Sequence, residues 1–431
     1  MEENKNTSAV SGGEGKPAVE VKRKPDQFLW GIYITLCLIS LIITYDASSR
    51  MVSGENIYAP LFKHAMYLGI GTVVVFVVQR IDYQKFMKWI PLFGILTLIL
   101  LGYVEMFGEV INGAQRNISF MGISIQPAEM AKLGVVLFLA WIMAKNQTVN
   151  DTTLKGLILS LVVIGVFGAF IFKQGLTNTV LLMAISASML VICGTKWSKI
   201  LILFGGFVVI VAMFLGFMAL TTDDSEADEI HGAAVEHMSR LDTWIQRMNR
   251  FSDPRPKYEQ PITAKNNQEI FALMAQAHGG VTGAGIGNSR ECSRLPLAFS
   301  DYVFSIVVED TGFIGGTVLI FIYLLLFARA GTIAHKCKRA FPAFLVIGMA
   351  VLIVYQALFH IAINVGVFPV SGQPLPLISM GGTSILMMSA AFGVMLSVSR
   401  SARRVSDKKA LIKEELESLP ESMQGENPGQ M

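Results

Sequence analysis

Three carboxylates, Asp301, Glu309 and Asp310, stand in the run RLPLAFSDYVFSIVVEDTGFIGG at 294–316, where polar sequence gives way to apolar. A carboxylate held beside a hydroxyl can take its proton as a general base. Ser300 suits an N-cap and Asp301 the first turn of a helix, where the positive end of the helix dipole favours the ionised acid. Glu309 lies ~12 Å further along such a helix and Asp310 points ~100° away from it, so the three cannot act at one point. Asp301 reads either as a helix-start acid or as the reactive base. Glu309 and Asp310 read first as a buried structural pair, or as a polar kink before Gly312.

A second set lies in INGAQRNISFMGISIQPAEMAKLGVV at 111–136. Asn112 and Gly113 suit a turn, Arg116 offers a planar cation, and Pro127 suits the first turn of a helix. Glu129 and Lys132, three apart on that helix, share a face and can pair. One reading is an ordinary helix-start ion pair with Lys132 reaching out to the interface. The other is a charged lining for an anionic substrate, in which Arg116 and Lys132 would grip a pyrophosphate.

Two further runs have unusual backbone freedom. GGVTGAGIGNS at 279–289 follows no strand and precedes no GK[ST], so it fails the context of both phosphate-binding glycine motifs. It reads as a tight turn between surface helices, with Asn288 and Ser289 as the residues whose amides could touch a head group. INVGVFPVSGQPLPLISMGGTSILMM at 363–388 puts three prolines and four glycines between two apolar runs, with Gln373, Ser379, Thr383 and Ser384 as polar residues. Irregular backbone at membrane depth persists only when buried in protein or lining a watery cavity, and a cavity wall is preferred here over a plain re-entrant turn.

The elements that must position these residues are membrane helices. Of 431 residues, 52% are hydrophobic and only 16% charged, well beyond the apolar content of a soluble domain. They gather in about ten runs able to cross ~30 Å of hydrocarbon: 27–45, 65–79, 89–107, 130–144, 155–172, 176–194, 199–220, 303–328, 341–363 and 384–399. The expected fold class is an all-α integral membrane protein of about ten transmembrane helices, with a long extracytoplasmic loop (221–300) between helices 7 and 8. Of the 35 Lys and Arg residues, 22 fall in the two tails and the even-side loops and five in the short odd-side segments, which places both termini in the cytoplasm and the chemically suggestive connections outside. Within the long loop, Trp244, Met248 and Phe251 alternate with Arg240, Arg247 and Arg250 as in an amphipathic surface helix.

Residues 1–26 lack the pattern of a signal peptide and read as a disordered cytoplasmic tail; 401–431 form a second, with a short surface helix in its middle. The net charge of +3 is a topology signal and gives no support to nucleic-acid binding. Cys37, Cys193, Cys292 and Cys337 show neither disulfide nor zinc spacing, and the histidines form no i, i+4 pair.

Taken in order, NGAQR with QPAEMAKL, then GGVTGAGIGNS with LPLAFSDYVFSIVVEDTGFIGG, then NVGVFPVSGQPLPLISMGGTS resemble the SEDS family (shape, elongation, division and sporulation) over residues 27–400. The tail and early loops are closer to its FtsW-type than to its RodA-type members. The resemblance implies a peptidoglycan glycosyltransferase that polymerises lipid II at the outer face of the bacterial cytoplasmic membrane, for septal or lateral wall synthesis. It implies a class B penicillin-binding protein and other divisome or elongasome membrane proteins as partners.

The resemblance matches Asp301 to the family's essential aspartate, and Arg116, Glu129 and Lys132 to residues lining its central cavity. Gln126, Asn288, Ser289, Gln373, Ser379, Thr383 and Ser384 join them as candidate substrate contacts. There are departures: Asn117 replaces a usual Trp, QGLTNT (174–179) stands for QPDLGT, EDTG for EELG and SMGGTS for SYGGSS.

Glycan elongation implies a base for the attacking hydroxyl and positive charge for the leaving pyrophosphate. Mg2+ or Mn2+ suits such oxygens, with Asp301 its ligand if a metal is used; no organic cofactor is expected. Two rivals stand. A lipid II flippase would show charges deep in several spans and matched broken helices, and a non-enzymatic divisome scaffold would show its motifs in the tails. The acids cluster toward one face and the tails are poor in motifs, which favours the enzyme.

Overall fold

The computed structural model describes residues 25–51, 58–111, 114–120, 123–148, 151–199, 257–263, 266–295 and 299–417, with residues 201, 205, 251 and 255 singly. Helices α1 (Gln27–Met51), α2 (Tyr58–Val78), α3 (Tyr83–Phe107), α4 (Pro127–Asn146), α5 (Leu154–Gln174) and α6 (Leu176–Ile192) precede the long loop. Within that loop lies α7 (Asn267–Gly279), and α8 (Val303–His335), α9 (Ala340–Asn364) and α10 (Gly382–Glu417) follow it. Eight of these helices are long and apolar enough to cross a membrane, and α6 is a shorter apolar helix.

The seventh expected run, 199–220, lies outside the described residues except for Lys199, Leu201 and Gly205, as does the amphipathic segment around Trp244. The described residues on either side of that run sit at opposite ends of the bundle. Lys199 pairs with Asp151 beside the α4–α5 turn, whereas α7 packs on α8 near its start, where Gln276 donates to Ser305 Oγ. Of the expected N-terminal tail, 1–26, residues 1–24 are likewise outside the description, whereas Asp26 is buried and paired with Arg329 at 2.6 Å and so belongs to the bundle.

Local chemistry sets the helix starts. Asp82 caps α3 by accepting from Gln84 N, Thr153 caps α5 by accepting from Gly156 N, and Pro127 opens α4. The last helix runs on to Glu417, so the expected boundary at 401 falls inside α10 rather than before a separate surface helix.

One element departs from the all-α expectation. The α3–α4 connection holds a three-stranded antiparallel sheet, β1 (Glu109–Ile111), β2 (Ala114–Phe120) and β3 (Ile123–Ile125). Ile111 pairs with Ala114 across residues 112 and 113, where the Asn-Gly turn was expected.

Helices α4, α9 and α10 are buried over 78% of their apolar windows, against 28–39% for α1, α2, α3, α5 and α8. The first three are therefore the inner helices. The others turn large apolar side chains such as Ile34, Leu38, Phe62, Ile95 and Phe321 outward, as lipid-facing helices do. Close approach in the centre uses small residues: a Cβ at Gly348 of α9 would press on Val136 of α4 and Met189 of α6. Each inner helix begins or ends at one end of the bundle, where the polar connections gather.

Helix α8 is broken at Gly312, whose φ of 71° and ψ of −175° leave the helical region. The glycine run pairs the backbone groups that the break releases. Ala284 N and Gly285 N donate to the carbonyls of Glu309 and Asp310, while Phe313 N and Ile314 N donate to those of Gly280 and Val281. A Cβ at Gly283 or Gly312 would overlap the facing backbone. These glycines serve a close backbone approach, and the expected kink before Gly312 is the site of it.

Candidate active site

Asp301 stands one residue before Tyr302, the N-cap of α8, and is partly exposed. Ser300 Oγ donates to its carboxylate at 2.9 Å. Ser300 is therefore a partner of the acid and not the helix cap. The cap comes from another helix: Asn364 Oδ1, at the end of α9, accepts from Ser305 N at 3.2 Å and from Ser305 Oγ at 3.0 Å. The same amide's Nδ2 donates to the Asp301 carbonyl at 3.1 Å.

The α9–α10 connection folds against this turn. Ser379 Oγ donates to Ser300 O at 2.8 Å and accepts from Leu375 N at 2.7 Å, and Met380 N donates to Phe299 O at 2.8 Å. Leu377 has a φ of 64°, a left-handed conformation that costs a branched residue energy, beside Pro376, whose carbonyl the Tyr323 hydroxyl holds at 2.7 Å. Gly372 is exposed and faces the carboxylate, since a Cβ there would lie 3.3 Å from Asp301 Oδ2. Bare backbone on this side leaves the acid approachable.

Glu129 and Lys132 form the expected pair, but its setting overturns the reading of a lysine reaching out to the interface. Both side chains are fully buried, with Lys132 Nζ donating to Glu129 Oε1 at 2.7 Å and to Gln356 Oε1 at 2.9 Å. Gln356 Nε2 donates in turn to Glu129 Oε2 at 3.4 Å and to Pro374 O at 3.2 Å. The charge is compensated inside the bundle, as burial demands. Arg116 lies in β2, and its side chain is outside the described residues.

The remaining expected contacts divide. Gln126 N donates to Thr383 Oγ1 at 3.1 Å, which joins the starts of α4 and α10. Gln373 Nε2 donates to Asn178 Oδ1 at 2.9 Å, and Ser384 is buried beside Thr383. Asn288 and Ser289 are not brought to Asp301. Ser289 is fully buried and donates to Glu309 Oε2 at 2.5 Å, eight residues further along α8. Asn288 Nδ2 donates to Ala284 O at 3.1 Å within its own loop. The cause is Glu309, which also accepts from Arg290 N at 2.7 Å, Glu291 N at 3.1 Å and His278 Nδ1 at 2.9 Å. This acid anchors the loop to α8 and is no partner of Asp301.

Gln356, His360 and Asn364 were missed in the sequence. Their four-residue spacing in a largely apolar span is the signal that points to them. Among the described residues no three His, Cys, Asp or Glu side chains gather as a metal cage. If a divalent ion is used, Asp301 is the carboxylate that would hold it, beside the Ser300 hydroxyl that donates to it.

The profile of the FtsW/RodA/SpoVE family, described as cell cycle protein, matches residues 26–404. This chain belongs to that family. Among similar FtsW/RodA/SpoVE sequences is a probable peptidoglycan glycosyltransferase FtsW of Trichlorobacter lovleyi, 30% identical over 88% of this chain and 96% of its own length. The stage V sporulation protein E of Bacillus subtilis is 29% identical over 89% of this chain and 99% of its own. Two solved structures share the fold of this FtsW/RodA/SpoVE member at 20% identity. One is a chain of a peptidoglycan synthase complex, with TM-score 0.62 over 88% of this chain and 98% of that one. The other is the rod shape determining protein RodA of Thermus thermophilus, with TM-score 0.58 over 89% and 99%.

Proposed function

We propose that this chain is a peptidoglycan glycosyltransferase that polymerises lipid II, with Asp301 as the base, at the extracytoplasmic face of the bacterial cytoplasmic membrane and with both termini inside. The observation that carries the reading is the placement of Asp301. Its backbone is held by Asn364 at the end of α9 and its carboxylate faces the bare backbone of Gly372 in the α9–α10 connection, in a chain whose relatives are named for this activity.

In this reading the attacking sugar hydroxyl gives its proton to the Asp301 carboxylate as its oxygen bonds to the anomeric carbon. The bond from that carbon to the polyprenyl pyrophosphate breaks, and the pyrophosphate leaves with the electron pair. Lys132 is committed to Glu129 and Gln356, so Arg116 on β2 is favoured as the cation beside the leaving group. Glu129, Lys132 and the polar head of α10 at Thr383 and Ser384 shape the wall.

A class B penicillin-binding protein is the proposed partner, supported by the synthase complex that shares the fold. FtsW among the named relatives favours a role in division. The test is purified protein in lipid vesicles with labelled lipid II and that partner, comparing wild type with Asp301→Asn. Glycan strands from wild type and none from the variant are expected. Equal polymer from both would sink the assignment, and head-group translocation without polymer would point to the flippase.

A further inference from the structure

We infer that Gln356, His360 and Asn364 are positioning residues that set the placement of Asp301 relative to the buried Glu129–Lys132 pair and the α9–α10 connection. This rests on the reading of Asp301 as the base. The three lie at i, i+4 and i+8 on α9, so they share one face and span ~12 Å along the axis. All three are at most 1% exposed. Polar side chains this deep in a spanning helix cost free energy unless their partners are fixed, so what they hold is informative.

Each residue holds a piece of the site. Gln356 accepts from Lys132 and donates to Glu129 and to the carbonyl of Pro374. His360 Nδ1 lies 2.6 Å from the carbonyl of Gln373, the residue before Pro374. Asn364 holds the Asp301 carbonyl with its Nδ2 and the first turn of α8 with its Oδ1. Apart from Glu129 and Lys132, the partners of these three side chains beyond α9 are the irregular connection and the head of α8. A ladder built only to pack helices would need none of these.

The hydrogen bonds also fix the chemical form of the ladder. A carbonyl only accepts, so His360 Nδ1 carries the proton and Nε2 offers its lone pair to Asn364 Nδ2, 3.2 Å away. The backbone N–H of Ser305 requires the Asn364 oxygen on its side, which turns the amide nitrogen toward both Asp301 and His360. The two N–H groups of Asn364 Nδ2 have His360 O at 2.9 Å, Asp301 O at 3.1 Å and His360 Nε2 at 3.2 Å in reach. The α9 turn at His360 thus orients the amide and the amide orients the acid, while the ring holds the Gln373 carbonyl beside Gly372. Gln276 of α7 closes the network by donating to Ser305 Oγ and to the Asn364 carbonyl.

The test uses the full-length protein in lipid vesicles with its penicillin-binding partner, measuring kcat and KM for lipid II and the folded fraction for Asn364→Ala, His360→Leu, His360→Asn and Asp301→Asn. Misplacing a reacting group by about 1 Å costs on the order of 100-fold. Asn364→Ala and His360→Leu are therefore expected to lose about 10- to 100-fold in kcat per folded molecule, with KM within about twofold. His360→Asn, which offers an amide donor near the Nδ1 position, should recover most of the rate. The inference is overturned if kcat per folded molecule is retained in Asn364→Ala and His360→Leu, if the loss lies in KM alone, or if His360→Asn is as poor as His360→Leu. An active Asp301→Asn would instead overturn the reading of the base, whereas an inactive one beside fully active ladder variants overturns the ladder alone.

Discussion

Lys132 Nζ lies 2.7 Å from Glu129 Oε1, and neither side chain has exposed surface. Removing one partner of such a pair leaves the other charged and unpaired, which costs about 3–5 kcal/mol, whereas replacing both by neutral groups of similar shape is close to neutral. Lys132→Met should therefore lower the thermal unfolding midpoint of the protein in detergent. The double variant with Glu129→Gln should recover most of that stability without recovering polymerisation. A single variant as stable as wild type would show that the pair is not held as an ion pair.

Glu309 is the anchor of the loop before α8. Four donors converge on it: the Ser289 hydroxyl, the N–H groups of Arg290 and Glu291, and His278 Nδ1. Glu309→Gln keeps an oxygen for the donors now on Oε1, and Ser289 can turn to accept from the new amide. Glu309→Ala orphans all four, at about 1–3 kcal/mol for each donor left buried without water. Hydrogen exchange at residues 280–291 should thus rise strongly in Glu309→Ala and little in Glu309→Gln. Equal protection in both would mean that the backbone bonds at the Gly312 break hold the loop without the carboxylate.

Much of this architecture was legible in the sequence, and the misses share a cause. The apolar runs, the start of α4 at Pro127 and the i, i+3 pairing of Glu129 with Lys132 are local features, set by periodicity and by which side chains reach one another along a helix. Asp301 stood out among the three acids of its run because it heads the apolar segment and matches the essential aspartate of the SEDS motif. The cap of α8 was not: Ser300 had the right type and position, yet its hydroxyl bonds the acid and Asn364, 59 residues away, takes the cap. Ser289 was misread for the same reason, because Glu309, 20 residues on, claims its hydroxyl. The sheet at 109–125 was written in Asn112-Gly113 and in the alternation of Ile118, Ser119 and Phe120, but strands are unexpected beside membrane helices. Tertiary partners of polar side chains decide these cases, and spacing along the chain does not encode them.

At the other end of the bundle, Asp151 is held well below the ordinary carboxylate range, at about 2, by the hydrogen-bonded ammonium of Lys199, then by the Thr152 N–H, with Lys196 adding charge. A depressed folded value means that the contribution is complete above the ordinary value of 3.8 and is lost as pH falls toward about 2. Wild type should unfold at a slightly higher temperature than Asp151→Asn at neutral pH, with the gap closing below about pH 4 and shrinking in high salt, since the pair is within reach of water. Polymerisation should be unchanged, because Asp151 lies far from Asp301. A gap that persists at pH 2 would assign the effect to packing.

The last prediction concerns space beside the acid. Gly372 is exposed and its conformation is open to other residues, so replacing it strains no backbone; what an added Cβ meets is the Asp301 carboxylate, with Oδ2 at 3.3 Å, Oδ1 at 3.5 Å and Cγ at 3.7 Å. Gly372→Ala should therefore crowd the carboxylate and take part of the volume that a sugar hydroxyl needs, leaving the fold intact. The expected result is a fall in kcat of about 10-fold or more, from displacement of the acid by a fraction of an ångström, with an unfolding midpoint within a degree or two of wild type. Gly372→Val should be worse in rate and similar in stability. Steady-state polymerisation with thermal unfolding on the same preparations decides it: full activity in both variants would place the reacting hydroxyl on another side of Asp301, and loss of activity together with loss of folding would make Gly372 a structural residue.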